Sequence, residues 1–178
     1  RGIIQESQWS GPGTYLRQRI DQYKFDKVVK KGRIWRLSYE GMPRRSAPPR
    51  MLNETPAQLV THLNDPNGWW RDTAQRLLVL RQDASVAPAL VELARPGSSL
   101  VGRFHAMWTL EGLGKLDAAL VRELLKDVSP QMRVQAIRAS ESLYKAGDTS
   151  FDADVRAGLK DGDANVIIQA LLTLNLHS

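Results

Sequence analysis

From residue 51 onward, apolar and polar positions recur in a fixed order that marks paired helices. Four stretches share one pattern: a polar or glycine start, a residue six places on, an alanine three beyond that, then leucines. They run Asp65–Arg71–Ala74–Leu78, Gly97–Arg103–Ala106–Leu110, Asp127–Arg133–Ala136–Leu143 and Asp161–Ile167–Ala170–Leu174. In the third the closing leucine falls three places late, and in the fourth isoleucine replaces arginine. The alanines are 32, 30 and 34 residues apart, a register that unrelated helices would not keep.

Each unit also holds a shorter first helix, predicted at Pro56–Leu63, Val86–Ala94, Ala118–Lys126 and Asp152–Lys160. Thr55-Pro56-Ala57-Gln58 is a capping box with proline at the first helical position. Ser129-Pro130 repeats that arrangement, and Asp163 can cap the last helix. Gly112, Gly114 and Gly147 stand where helices should stop. Helix pairs stacked at a constant period make an α-solenoid. The predicted fold is therefore mainly α: about four short HEAT-like helix pairs over residues 51–178. The alanines are expected where neighbouring helices approach most closely, with leucines filling the layers between.

The first fifty residues read differently. Gly11-Pro12-Gly13 signals a turn. Tyr15–Lys31 has the makings of a short helix, with Ile20, Tyr23 and Lys24 on one face. Arg33–Tyr39 alternates, with Trp35, Leu37 and Tyr39 on one side, as in a half-buried β-strand. A single strand needs partners that this sequence does not supply. Met42–Arg50 packs three prolines and three arginines into nine residues, which predicts an extended connector. The expected organisation is residues 1–41 as the tail of an upstream domain, 42–50 as a linker and 51–178 as the repeat domain. With no initiator methionine, the chain reads as a fragment of a larger protein.

Charge sharpens this division. The net charge is +6, a value that suggests nucleic acid. Yet residues 1–50 hold 12 basic against 4 acidic side chains, and residues 51–178 hold 13 against 15. A solenoid that grips duplex phosphates needs the positive charge on itself. The absence of cysteine removes disulfides, thiolate metal sites and covalent haem attachment from this chain. No apolar run reaches the roughly 18–20 residues of a membrane span.

Candidate interaction residues are few. Trp69 and Trp70 diverge by about a third of a turn on a helix, so one is expected in the core. The other either covers adjacent structure or stands exposed as an anchor for a partner. Arg71, Arg103 and Arg133 form a ladder if the units stack in register. Such a ladder either holds acidic neighbours such as Asp72 and bonds repeat to repeat, or lines a concave anion-binding strip. His62, His105 and His177 lack the spacing of a helical metal site; His105, between Arg103 and Ala106, reads as a hydrogen-bonded structural residue, with axial haem ligation or general-base work as the alternatives. Lys24, Lys27, Lys30, Lys31 and Arg33 read as a solvated face in preference to a phosphate track. There is no phosphate-binding glycine loop and no nucleophile elbow. No catalytic, cofactor-binding or metal-binding residue is therefore assigned to this chain.

Four strings carry a resemblance. They are Arg1-Gly-Ile-Ile-Gln-Glu-Ser-Gln-Trp9, Gly32-Arg-Ile-Trp-Arg-Leu-Ser-Tyr39, Asn67-Gly-Trp-Trp-Arg-Asp-Thr-Ala-Gln-Arg-Leu-Leu78 and Arg103-Phe-His-Ala-Met-Trp-Thr-Leu-Glu-Gly-Leu113. In this order the chain resembles the middle of bacterial membrane-bound, quinoprotein-like dehydrogenases. Those proteins carry a β-propeller, then HEAT-like repeats, then often a cytochrome c domain. The resemblance implies that residues 1–41 are the edge of a propeller and that the parent is a periplasmic or secreted redox enzyme. It also implies that the partners of this segment are the propeller upstream and a cytochrome c domain downstream. The propeller body that would hold a quinone and metal is absent from this sequence, so no cofactor is expected in this chain. The expected role is a non-catalytic scaffold or docking segment. Two rivals are a nucleic-acid-binding HEAT-like protein and a HEAT-like lyase acting on a small molecule in the concave face.

Overall fold

The computed structural model describes residues 11–24, 27, 39–41 and 49–177. The chain divides into two compact units, Arg1–Ala47 and Pro48–Ser178. In the first, helix α1 spans Tyr15–Tyr23. Thr14 caps its start by accepting from the Arg17 N–H, and Lys24 ends it in the left-handed conformation at φ 53°. Helix α1 is thus shorter than the Tyr15–Lys31 segment predicted for it. Ile20 is buried, whereas Tyr23 is 56% exposed. The strand expected at Arg33–Tyr39 lies almost wholly outside the described residues, as do most of the Met42–Arg50 connector and the Arg1–Trp9 string.

The second unit is a stack of four helix pairs. The pairs are α2 (Pro56–His62) with α3 (Gly68–Arg81), and α4 (Ala87–Ala94) with α5 (Leu100–Gly112). They continue with α6 (Ala118–Leu124) and α7 (Pro130–Lys145), then α8 (Asp152–Ala157) and α9 (Ala164–Leu176). Each second helix packs on the next, α3 on α5, α5 on α7 and α7 on α9, while each pair closes on itself. Among the described residues there is no β-strand, and no helix is long and apolar enough to cross a membrane.

Local chemistry explains the boundaries. The second helices start at Asn67, Ser99, Ser129 and Asp163, each accepting a backbone N–H of the first turn. These caps lie seven residues before the repeat alanine in every unit, so the register is set at the helix starts as well as in the core. The capping box at Thr55 is complete in both directions. Helix α4 ends at Ala94 as predicted, whereas α2, α6 and α8 end earlier than predicted, and α8 tightens into a 3-10 turn over Gly158–Lys160.

Gly114 and Gly147 terminate α5 and α7 in left-handed conformations, at φ 62° and 103°. The Lys115 N–H reaches Leu110 O, and the Asp148 N–H reaches Leu143 O, as a Schellman end requires. Gly112 has a second role. It is the last residue of α5, as expected, and a Cβ there would meet Val79 Cγ2 at 2.6 Å. It is therefore also a point of close approach between α3 and α5.

The core follows the repeat. Ala74, Ala106, Ala136 and Ala170 are all fully buried, in layers with Leu78, Leu90, Leu110, Leu124 and Ile137. In the third unit the in-register leucine position is Ser140, also fully buried. Its hydroxyl donates to Ile137 O at 2.6 Å, so no polar group is stranded. Leu143, predicted as the displaced leucine, packs at the margin of the core.

Candidate functional site: the joints between helix pairs

The loop that enters each second helix carries an aspartate two residues before the cap, except in the second unit. Asp65, Asp127 and Asp161 accept the backbone N–H of Asn67, Ser129 and Asp163 at 2.8, 2.9 and 2.9 Å. Their side chains thereby brace the loop. Two of them also receive the arginine of the preceding unit.

Arg103 on α5 ion-pairs with Asp127, with 6% and 3% of the two side chains exposed. Its Nε donates to Ala94 O at 2.9 Å. Arg133 on α7 donates from Nε and Nη2 to the two oxygens of Asp161, both at 2.8 Å, and from Nη1 to Asp127 O at 2.7 Å. Each of these arginines therefore clamps a carbonyl of its own unit and the next unit's carboxylate. The fork geometry of guanidinium suits that double task, which a lysine could not perform.

These bonds shift the titration of the acids. Burial pushes the Asp127 carboxyl up, but the hydrogen bonds from Arg103 and the Ser129 N–H outweigh it, and the net shift is downward. Asp161 is held below the ordinary carboxylate range chiefly by Arg133. Arg133 is shifted upward in turn, first by its hydrogen bond to Asp161.

The first joint is built differently. Gly97 stands at the aspartate position, at φ 126°, and a Cβ there would meet nothing within 4 Å. The Ser99 N–H that an aspartate would brace is taken instead by Asn64 Oδ1 from the preceding unit, at 3.2 Å. Gly102 allows this, because a Cβ there would collide with the Asn64 side chain. Arg71 donates Nη1 to Asp65 O at 2.6 Å, as Arg133 does to Asp127 O. Its Nε is buried without a hydrogen-bond partner.

A second row of bonds joins the first helices. Arg95 reaches Glu123 at 3.1 Å, and Arg122 reaches Asp154 at 2.9 Å. Across the second helices, His105 Nδ1 pairs with Gln75 Oε1 at 2.7 Å and Trp108 Nε1 donates to Gln135 at 2.9 Å.

The sequence candidates therefore separate. Trp70 is 8% exposed, edge-on to Trp69 at 5.9 Å and tilted on His62 at 4.9 Å. It belongs to the core and is not available to a partner. Trp69 is 54% exposed and lines a cavity of about 530 Å³ with Met51, Leu52, Thr73, Arg76 and Leu77. Arg103 and Arg133 are occupied by aspartates, so they do not form an open anion strip. Asp72, expected to serve the ladder, is 76% exposed at its side chain and lies 3.8 Å from His105 Nε2.

His62 and His105 are hydrogen-bonded, whereas both ring nitrogens of His177 are buried without a hydrogen bond, Nδ1 lying 3.8 Å from Asp152. His62 Nε2 meets Glu54 at 2.8 Å, and His177 stacks on Tyr144 at 3.9 Å. Among the described residues no group of three His, Cys, Asp or Glu side chains is placed to hold a metal.

Asp127 and Asp161 were visible in the sequence only as the polar starts of their units. The usable signal was the pairing of an arginine in one unit with an aspartate in the next. Asn64 gave no signal at all, because its role exists only where Gly97 and Gly102 are both present.

Fold and joints together define a solenoid-like stack of helix pairs, bonded by Arg–Asp clamps at the second and third joints and by Asn64 at the first. No protein-family model matches the chain, and no curated protein matches it either.

Proposed function

We propose that this protein is a scaffold and docking segment of a larger bacterial redox enzyme, holding a propeller domain in place and contributing no catalytic group. The carrying observation is where the polar chemistry goes. Arg103, Arg133, Asp127 and Asp161 bond unit to unit, which stiffens the stack. Trp69 and Leu52, 54% and 77% exposed, remain around an open cavity on the first helix pair. An exposed tryptophan beside a cavity has the character of an interface anchor.

The redox context rests on the four sequence strings that resemble quinoprotein-like dehydrogenases. In that context the repeats are HEAT-like, quinone and haem belong to neighbouring domains, and the location is periplasmic or secreted. The test is the gene on either side of this segment. Propeller blades upstream and a Cys-x-x-Cys-His motif downstream are expected, and unrelated flanks would remove the redox assignment. Nucleic-acid binding fits less well, because two of the ladder arginines already hold carboxylates and cannot neutralise phosphates.

A further inference from the structure

Arg71 and Arg133 sit at the same place in their units and begin in the same way. Each donates Nη1 to the carbonyl of the residue six positions earlier, Asp65 O at 2.6 Å and Asp127 O at 2.7 Å. That shared bond fixes the guanidinium plane and leaves one edge, Nε with Nη2, for the next unit. At Arg133 this edge grips Asp161 through two bonds of 2.8 Å. At Arg71 the register supplies Gly97, which has no side chain, and the space where its Cβ would stand is open.

Three further observations bear on that edge. Arg71 Nε is buried and makes no hydrogen bond. Asp72 is turned to His105 instead, at 3.8 Å from Nε2. The Asn64 amide replaces an aspartate only in bracing the Ser99 N–H; being neutral, it leaves the charge of the guanidinium unanswered. A buried N–H of a permanent cation without an acceptor is costly, and such groups in native structures are normally satisfied.

We propose that the first joint is a carboxylate-binding site, in which the Nε and Nη2 edge of Arg71 takes an external carboxylate as Arg133 takes Asp161. The ligand class is a carboxylate, either a free organic anion or an Asp or Glu side chain of another polypeptide segment. Phosphate is less suited, because the template joint is shaped to one planar two-oxygen group. The site adds to the docking role proposed above and does not depend on the redox assignment.

A neighbour reports on occupancy. His105 is held below its ordinary pKa by burial first and by the positive charge of Arg71 second, with Asp72 opposing. A carboxylate on Arg71 cancels the second cause, so binding moves the His105 pKa upward.

The test is a titration of the isotope-labelled chain with sodium acetate, against sodium chloride at matched ionic strength, following the arginine Nε–H signals. The Arg71 signal is expected to shift saturably with acetate only, while that of Arg133, already occupied, stays in place. An Arg71 signal that is unmoved, or that responds equally to chloride, would overturn the proposal, as would an equal shift at Arg133. A parallel titration with blocked aspartate (N-acetyl, C-amide) separates the sources. Saturation at lower concentration than acetate assigns a polypeptide side chain, and equal saturation assigns a free anion. Arg71→Lys keeps a cation but removes the fork, and should abolish the acetate-induced rise of the His105 pKa. A folded Arg71→Lys protein that kept the rise would contradict the fork assignment, and if that variant does not fold the acetate and chloride comparison decides alone.

Discussion

Arg103 and Asp127 show how one pair of side chains can join two helix pairs. Both are almost wholly buried, and the ion pair is backed by Ala94 O on one side and the Ser129 N–H on the other. Removing one partner strands a buried charge, a defect of about 3–5 kcal/mol. Asp127→Asn keeps the shape and the Ser129 bond while removing the charge, so its cost isolates the ion pair. Replacing both partners by apolar residues of similar volume is expected to cost far less, since a buried pair is often neutral against a hydrophobic substitute. Because the folded pKa of Asp127 is depressed, the pair contributes fully above the unfolded carboxylate value and loses its contribution as pH falls through the lower folded value. Urea melts of wild type and Asp127→Asn should therefore differ most near neutral pH. They should begin to converge below about pH 4, where the unfolded carboxyl takes its proton, and meet only below the lower folded value. A difference that stayed constant down to acid pH would show that the ion pair is not what stabilises this joint.

Between elements, the spacing of α3 and α5 is set by a missing side chain. Gly112 brings α5 against Val79 of α3, and Gln82 reinforces the contact by donating from Nε2 to Gly112 O at 2.9 Å. Gly112→Ala adds a methyl group where Val79 Cγ2 already stands, so the helices must separate, at an overpacking cost of about 1–3 kcal/mol. Gly162→Ala, with nothing within 4 Å of the new methyl, should stay within about 0.5 kcal/mol of wild type. Thermal unfolding of the two variants checks this, and equal effects would mean that the approach at Gly112 is not tight.

The same elements show what could be read in advance. Helix pairs and caps were legible because they are local: Thr55 to Gln58, Ser129 to Met132 and Asp163 to Asn165 are contacts within a single turn. The alanine register was legible because one position is equally confined in four units. The joints were not legible, since Arg103 and Asp127 lie 24 residues apart and Arg133 and Asp161 lie 28 apart. Nothing local distinguishes those pairings from the Asp72 alternative. At Gly112 the helix end was legible but the close approach to Val79 was not, because a glycine near a helix end signals termination and close packing alike. Trp69 and Trp70 could be told apart only as one buried and one exposed residue, and packing against His62 decides which is which.

At the scale of the molecule, contacts run from each pair to its neighbours, so stability should be built up along the stack. The division between Arg1–Ala47 and Pro48–Ser178 leads to the expectation that residues 48–178 fold alone, with a predominantly helical circular dichroism spectrum and a cooperative melt. A truncated chain that aggregates or stays unfolded would show that the N-terminal unit is needed to complete the repeat domain. The central claim is that four helix pairs share one register, with Ala74, Ala106, Ala136 and Ala170 at equivalent confined positions. At the last of these the Ala170 methyl lies 3.2 Å from where a Cβ on Gly158 would stand, beside Ile137 of the preceding pair. Leucine at any of the four must force such layers apart, at about 1–3 kcal/mol or more. Ala118 packs against the core, whereas its neighbour Ala119 is exposed and should accept leucine within about 0.5 kcal/mol. Urea melts of the four alanine variants beside Ala119→Leu test the register most directly. A large and similar loss at all four positions with none at Ala119 is the expected result, and a loss at Ala119 equal to that at Ala106 would contradict the shared register.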